Sequence, residues 1–168
     1  SEMCIRDSIT SKGFATKKGE TFNEIVENRF HNISLSILTG PTFADEIANN
    51  KPAAAIVANK EIDVATSICE LFHNSNLRLY PSNDPSGASI AGAIKNIIAI
   101  GAGIVEGLEL GDNAKAALIT RGISETCELI KKSGGDHATA FGLAGIGDMS
   151  LTCSGPHSRN MAYGIDII

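Results

Sequence analysis

The spacing of apolar positions changes once along the chain, and that change divides it. Residues 33–38 (ISLSIL) are a short, β-branched apolar run ended by Thr39-Gly40-Pro41, which reads as a strand followed by a turn. Thr42 is placed to cap a helix running to about residue 50, with Asp45 and Glu46 in its first turn. Residues 53–58 (AAAIVA) are a second run of strand length, and residues 63–72 carry Val64, Ile68, Leu71 and Phe72 at helical spacing. Residues 77–80 (LRLY) complete this half as a third strand. Strands alternating with helices predict one edge of an α/β sheet.

Beyond residues 81–87 (PSNDPSG), a turn-rich linker that marks a domain boundary, the pattern is helical. Residues 89–108 read as one long apolar helix. Residues 113–132 read as a second, with Ala117, Leu118, Ile123 and Leu129 on one face and a stop at Ser133-Gly134-Gly135. Residues 137–141 and 145–151 are shorter helices or turns. Residues 1–8 (SEMCIRDS) fit no periodic pattern, and residues 165–168 end without a helix stop; both are expected to be non-native or unstructured ends.

Composition narrows the class. The chain has 168 residues, 43% hydrophobic and 20% charged, which suffices to bury a core and excludes disorder. A net charge of -5 without a basic stripe argues against nucleic acid as a partner, while a small anionic substrate remains open. The apolar stretch 90–105 is short of the ~20 residues of a membrane span and is interrupted by Lys95, so it reads as a buried helix. Glu2, Arg6 and Asp7 stand where a secretory signal would be apolar. Cys4, Cys69, Cys127 and Cys153 form no Cys-x-x-Cys pair and have no histidine at metal-ligand spacing, which fits reduced, buried thiols and a cytoplasmic setting.

Lys95 is the residue with the most chemical promise. On a helix its neighbours one turn away are Ala91, Gly92, Ile98 and Ala99, all apolar and three of them small, with no carboxylate among them. Burial there would lower the lysine pKa toward neutrality and suit it to acid/base work; the alternative is an amine that snorkels to the surface. Lys12-Gly13 follows the run Ile9-Thr10-Ser11 and would meet a ligand at the carboxyl edge of an α/β sheet, or be solvated. Gly40-Pro41-Thr42-Phe43-Ala44 joins a strand to a helix, where a glycine and free amides can receive an anion. Asp148 either caps a helix or accepts from a ligand hydroxyl. Ser158-Arg159-Asn160 offers a hydroxyl, a planar guanidinium and an amide, a set suited to a phosphate.

Three segments, LTGPTFADEIANNKPAAAIVA, SGASIAGAIKNIIAIGAGIVEGLELGDNAKAALITRGISE and GLAGIGDMSLTCSGPHSRN, closely resemble the bacterial NAD(P)-dependent glycerol-3-phosphate dehydrogenases, in order and over nearly the whole chain. The resemblance implies a two-domain plan truncated at both ends, with residues 9–83 the later part of a Rossmann dinucleotide-binding domain and residues 84–164 the earlier part of an all-α substrate domain. It implies NAD or NADP as cofactor, interconversion of sn-glycerol 3-phosphate and dihydroxyacetone phosphate, and a role in phospholipid synthesis. Lys95 matches the proton donor and acceptor, and Lys12 a second active-site lysine touching substrate and cofactor. Gly40, Thr42, Asp148, Ser158, Arg159 and Asn160 match substrate contacts; Ala44 and Arg159 match cofactor contacts. The family's glycine-rich first turn has no counterpart here, since no Gly-x-Gly-x-x-Gly occurs, so the isolated piece is expected to bind NAD(P) poorly and to be inactive. The rival readings are a related hydroxy-acid dehydrogenase and a non-catalytic helical module that dimerises; a homodimer is also compatible with the first reading.

Overall fold

The computed structural model of the protein describes residues 6–31, 33–155 and 158–168. Strands β1 (Arg6–Ile9), β2 (Ser34–Thr39), β3 (Ala53–Ala58) and β4 (Leu77–Ser82) pair in that order. The pairs β1–β2 and β3–β4 are parallel, and β2–β3 is antiparallel. The helix between β2 and β3, α2 (Ala44–Ala48), has five residues and rises only ~8 Å, against ~20 Å for a six-residue strand, so β3 runs back from where β2 stops. Alternation along β3 covers both faces of the sheet. Ala55 and Val57 pack on Ala65 and Ile68 of α3 (Ile62–Glu70), while Ile56 and Ala58 face Ile37 and Ala88.

Ala88 belongs to α4 (Pro85–Gly107), the axis of the helical half. Its Ile90, Ala91 and Ile94 pack on Ile130, Ala140 and Ala144; its Ala99 and Ala102 pack on Ile123, Met149 and Cys153. These partners come from α5 (Asp112–Lys132), a 3-10 turn (His137–Phe141), a π-helical turn (Leu143–Gly147) and α6 (Asp148–Cys153). The last helix, α7 (Arg159–Asp166), crosses α4 at Gly103 and Gly164, where a Cβ on either glycine would overlap the backbone carbonyl of Met161 or Ile100. The Rossmann-like sheet and the helical domain that follows it are the α/β and all-α parts expected from the pattern.

Several local expectations need correction. The linker 81–87 shrinks to Asn83 and Asp84, because β4 continues to Ser82 and Pro85 opens α4. Asp84 makes so short a junction possible: its buried carboxylate accepts from Gly87 N (2.8 Å), Asp136 N (3.0 Å) and Thr139 Oγ1 (2.6 Å), tying the start of α4 to the 3-10 turn. Phe43, not Thr42, stands at the N-cap of α2. The helices α1 (Phe22–Arg29) and α7 were not anticipated. Residues 6–8 are not an unstructured end, since their backbone pairs with Ser34, Leu35 and Ser36, and Ile165 and Asp166 lie within α7. At 23 residues, α4 is long and apolar enough to cross a membrane by length and composition, longer than the 90–105 stretch suggested; here it is packed by β2, α5, α6 and α7. Cys69, Cys127 and Cys153 carry free thiols, and Cys4 lies outside the described residues.

Candidate active site

Because β1 and β2 are parallel, the segments that follow them leave the sheet at the same edge. Lys12 comes from the first segment and Gly40 from the second. Gly40 takes a φ of 153°, and a Cβ there would stand 2.8 Å from Ala55 Cα, so only glycine fits this turn. Its carbonyl points back and accepts from Lys12 Nζ (3.0 Å) and Thr42 Oγ1 (3.2 Å).

Opposite this edge, α4 presents Lys95, 9% exposed, on the small-residue face read from the sequence. Its amine is not an isolated ammonium. Asp148, 53 residues on and 1% exposed, holds it through Oδ1 at 2.7 Å, while Oδ2 of the same carboxylate holds Lys12 Nζ at 2.5 Å. One buried carboxylate therefore bridges two lysines. Thr152, one helical turn beyond Asp148, meets Lys95 Nζ at 3.0 Å and donates to the Asp148 carbonyl at 2.6 Å. Asp148 is the first residue of α6, with Gly147 at the N-cap, and its side chain makes no cap bond, so the capping role weighed from the sequence does not hold.

A second chain of amides runs from this cluster toward α7. Asn96 Nδ2 donates to the Lys12 carbonyl (3.2 Å), and Asn160 Nδ2 donates to Asn96 Oδ1 (2.8 Å). Of the predicted residues, Lys12, Gly40, Thr42, Lys95, Asp148 and Asn160 are joined by these bonds. Ser158 is buried and its hydroxyl accepts from Met161 N, capping α7. Arg159 and Ala44 are exposed at the first positions of α7 and α2. Sequence reading missed Thr152 and Asn96, although the first lies at i+4 from Asp148 and the second beside Lys95. It also missed Thr39, whose buried Oγ1 has no partner among the described residues.

Electrostatics at the site follow from this geometry. Burial holds the Lys12 amine below its ordinary range; Asp148 opposes that shift and the neighbouring Lys95 reinforces it. Burial also pushes the Cys153 thiol up to about 11, so it is a packing residue. Each ammonium carries three N–H donors and uses two of them on described partners, leaving one apiece for an oxygen of a ligand. Among the described residues no group of three or more His, Cys, Asp or Glu side chains could hold a metal ion. Two proton-carrying amines set by one carboxylate suit proton transfer at a ligand oxygen. No Gly-x-Gly-x-x-Gly turn, which would receive the pyrophosphate of a dinucleotide, occurs in this sequence.

A Rossmann-like sheet whose edge delivers a lysine to a carboxylate, backed by a helical domain that delivers another, has the layout of a two-domain dehydrogenase. The chain belongs to the NAD-dependent glycerol-3-phosphate dehydrogenase family: residues 6–65 match the model of the family's N-terminal domain and residues 84–168 that of its C-terminal domain. It is 45% identical over 155 residues to a glycerol-3-phosphate dehydrogenase (NAD(P)+) of Francisella tularensis subsp. tularensis, covering 92% of this chain and 47% of that protein. A Francisella philomiragia protein of the same name is 46% identical over 154 residues, with 92% and 46% covered. The crystal structure of glycerol-3-phosphate dehydrogenase from Coxiella burnetii superposes with a TM-score of 0.90 at 38% identity, covering 96% of this chain and 50% of that one. The structure of DsGPDH of Dunaliella salina superposes with a TM-score of 0.88 at 26% identity, covering 97% of this chain and 31% of that one. The chain thus spans about half the length of the curated relatives it matches.

Proposed function

We propose that these residues form the substrate-facing half of an NAD- or NADP-dependent dehydrogenase that interconverts sn-glycerol 3-phosphate and dihydroxyacetone phosphate, in the cytoplasm and in the service of phospholipid synthesis. The observation that carries the reading is the Asp148 carboxylate shared by Lys95 and Lys12. When bound, the nicotinamide supplies or takes up the hydride at the substrate carbon. The chain's own residues act at the oxygen. Lys95 gives a proton to that oxygen in the reducing direction and receives it in the other. Lys12 adds positive potential beside the same oxygen, where charge grows as the carbonyl is reduced. Asp148 and Thr152 fix the Lys95 amine, so the proton travels along one direction. Arg159 and Asn160 take the phosphate: Asn160 is oriented by Asn96, and the exposed Arg159 guanidinium is open to an anion. Anchoring that remote group holds the reacting carbon in place and turns binding energy into rate.

The test is made on the full-length protein with whatever sequence flanks these residues. Lys95→Ala is expected to lower turnover of glycerol 3-phosphate by ~10²–10⁴-fold, the usual loss for a general acid. Arg159→Ala is expected to raise the apparent KM for the phosphorylated substrate. Near-normal turnover in the Lys95 variant, or faster reaction with simple hydroxy acids than with glycerol 3-phosphate, would defeat the proposal.

A further inference from the structure

Asp148 meets both lysines only because of how the chain arrives at it. The preceding residues Leu143–Gly147 form a π-helical turn, with Gly147 N–H bonded to the Gly142 carbonyl (3.1 Å) and Asp148 N–H to the Leu143 carbonyl. Both bonds span five residues instead of the four of an α-helix. An α-helix turns ~100° per residue, so the one additional residue rotates everything after it by about that angle relative to an uninterrupted α-helix. Without it, the Asp148 side chain would leave the face that looks toward Lys12 and Lys95. The turn is also packed as tightly as backbone allows. A Cβ on Gly145, a buried residue at its centre, would overlap the carbonyl group of Ala140 in the 3-10 turn. A Cβ on Gly147 would meet only ordinary contacts, Gly142 O at 3.5 Å and Pro41 at 3.7 Å.

We propose that the π turn at Leu143–Gly147, made possible by the absent side chain of Gly145, is the device that aims Asp148 between Lys12 and Lys95. Gly145 is thus a positioning residue for the acid/base pair. The inference rests on the dehydrogenase reading for its kinetic consequence, while the placement of Asp148 can be read without it. The turn carries no charged side chain. It does its work by setting the rotation of α6, whose Asp148 and Thr152 lie one turn apart and both reach Lys95. Ile146 is the residue of the turn whose side chain is most exposed, and it belongs to neither of the core clusters packed around α4.

The experiment uses the full-length protein and two changes. Deleting Ile146 converts the five-residue ring to a four-residue one; Gly145→Ala forces the turn off Ala140. Gly147→Ala serves as the tolerated neighbour. For the deletion and for Gly145→Ala we expect at least a hundredfold loss of kcat with the cofactor KM little changed. We also expect a pH–rate profile shifted toward lower pH, because Lys12 loses the carboxylate that opposes the effect of its burial. Gly147→Ala should stay within about twofold of wild type. A crystal structure of the deletion variant should show Asp148 Oδ1 beyond hydrogen-bond range of Lys95 Nζ, a readout that a general loss of stability would not produce. If the deletion variant keeps both that contact and wild-type turnover, the proposal is overturned. If Gly145→Ala fails to fold, the deletion variant decides alone. If wild type itself does not oxidise glycerol 3-phosphate, the functional reading fails, and the crystallographic distance still decides the role of the turn.

Discussion

Replacing Asp148 with asparagine tests the arrangement with the least change of shape. The carboxylate is 1% exposed and holds two ammonium groups at 2.5 and 2.7 Å. Asparagine keeps the volume but supplies one acceptor and one donor, so an NH₂ group must face a lysine and one contact becomes donor against donor. Removing one partner from a buried ion pair costs ~3–5 kcal/mol, because the remaining charge stays desolvated. Lys95 will feel this fully. The Lys12 side chain is 19% exposed, so water can take over part of the loss on that side and the lower end of the range applies. The expected loss is about 3 kcal/mol in urea unfolding at neutral pH. In the proposed mechanism it should be accompanied by at least a hundredfold fall in turnover, since Lys95 would no longer be held toward the substrate oxygen. Asp112→Asn is the matching control, a carboxylate whose side chain is 99% exposed and 3.6 Å from Lys115, and it should leave stability and turnover unchanged. A loss below about 1 kcal/mol with turnover intact would refute the reasoning, because it would mean that both amines find equal partners without the carboxylate.

Two further outcomes follow from the same site. The Lys12 amine is held below 10.5 in the folded protein, so between its lowered value and 10.5 the unfolded chain carries more protons than the native one. Stability should then rise with pH across that window; Lys12→Met removes this dependence, and a wild-type urea midpoint that falls relative to the variant between about pH 7 and about pH 10 would show the sign to be wrong. The Cys153 thiol, pushed up to about 11 and buried, should resist iodoacetamide at about pH 8 until urea unfolds the protein; labelling at the rate of the half-buried Cys127 would contradict its placement in the core.

Period and punctuation made much of the fold legible. AAAIVA is β3 at both ends, and the 89–108 and 113–132 patterns became α4 and α5, which start up to a few residues earlier and end within one residue of the expected stops. The helix α1 was missed although its signal is local: Thr21-x-x-Glu24 is a capping box, in which Glu24 accepts from the Thr21 backbone N–H at 2.7 Å. Its weakly apolar face hid it. The length of β4 depends on strand pairing, which no window of sequence contains.

The site divides in the same way. Sequence alone determined that Lys95 sits on a face of small residues, that a glycine ends β2, and that a hydroxyl, a guanidinium and an amide follow one another near the end, because these are properties of neighbours along one chain. Only the tertiary structure decided that Asp148 answers both lysines. A carboxylate 53 positions from one amine and 136 from the other becomes their partner through the packing of α6 on α4 and the rotation imposed by one π turn. Ionic contacts act over a few ångströms in space whatever their separation along the chain, so the residue that completes the charge balance had no local mark to reveal it.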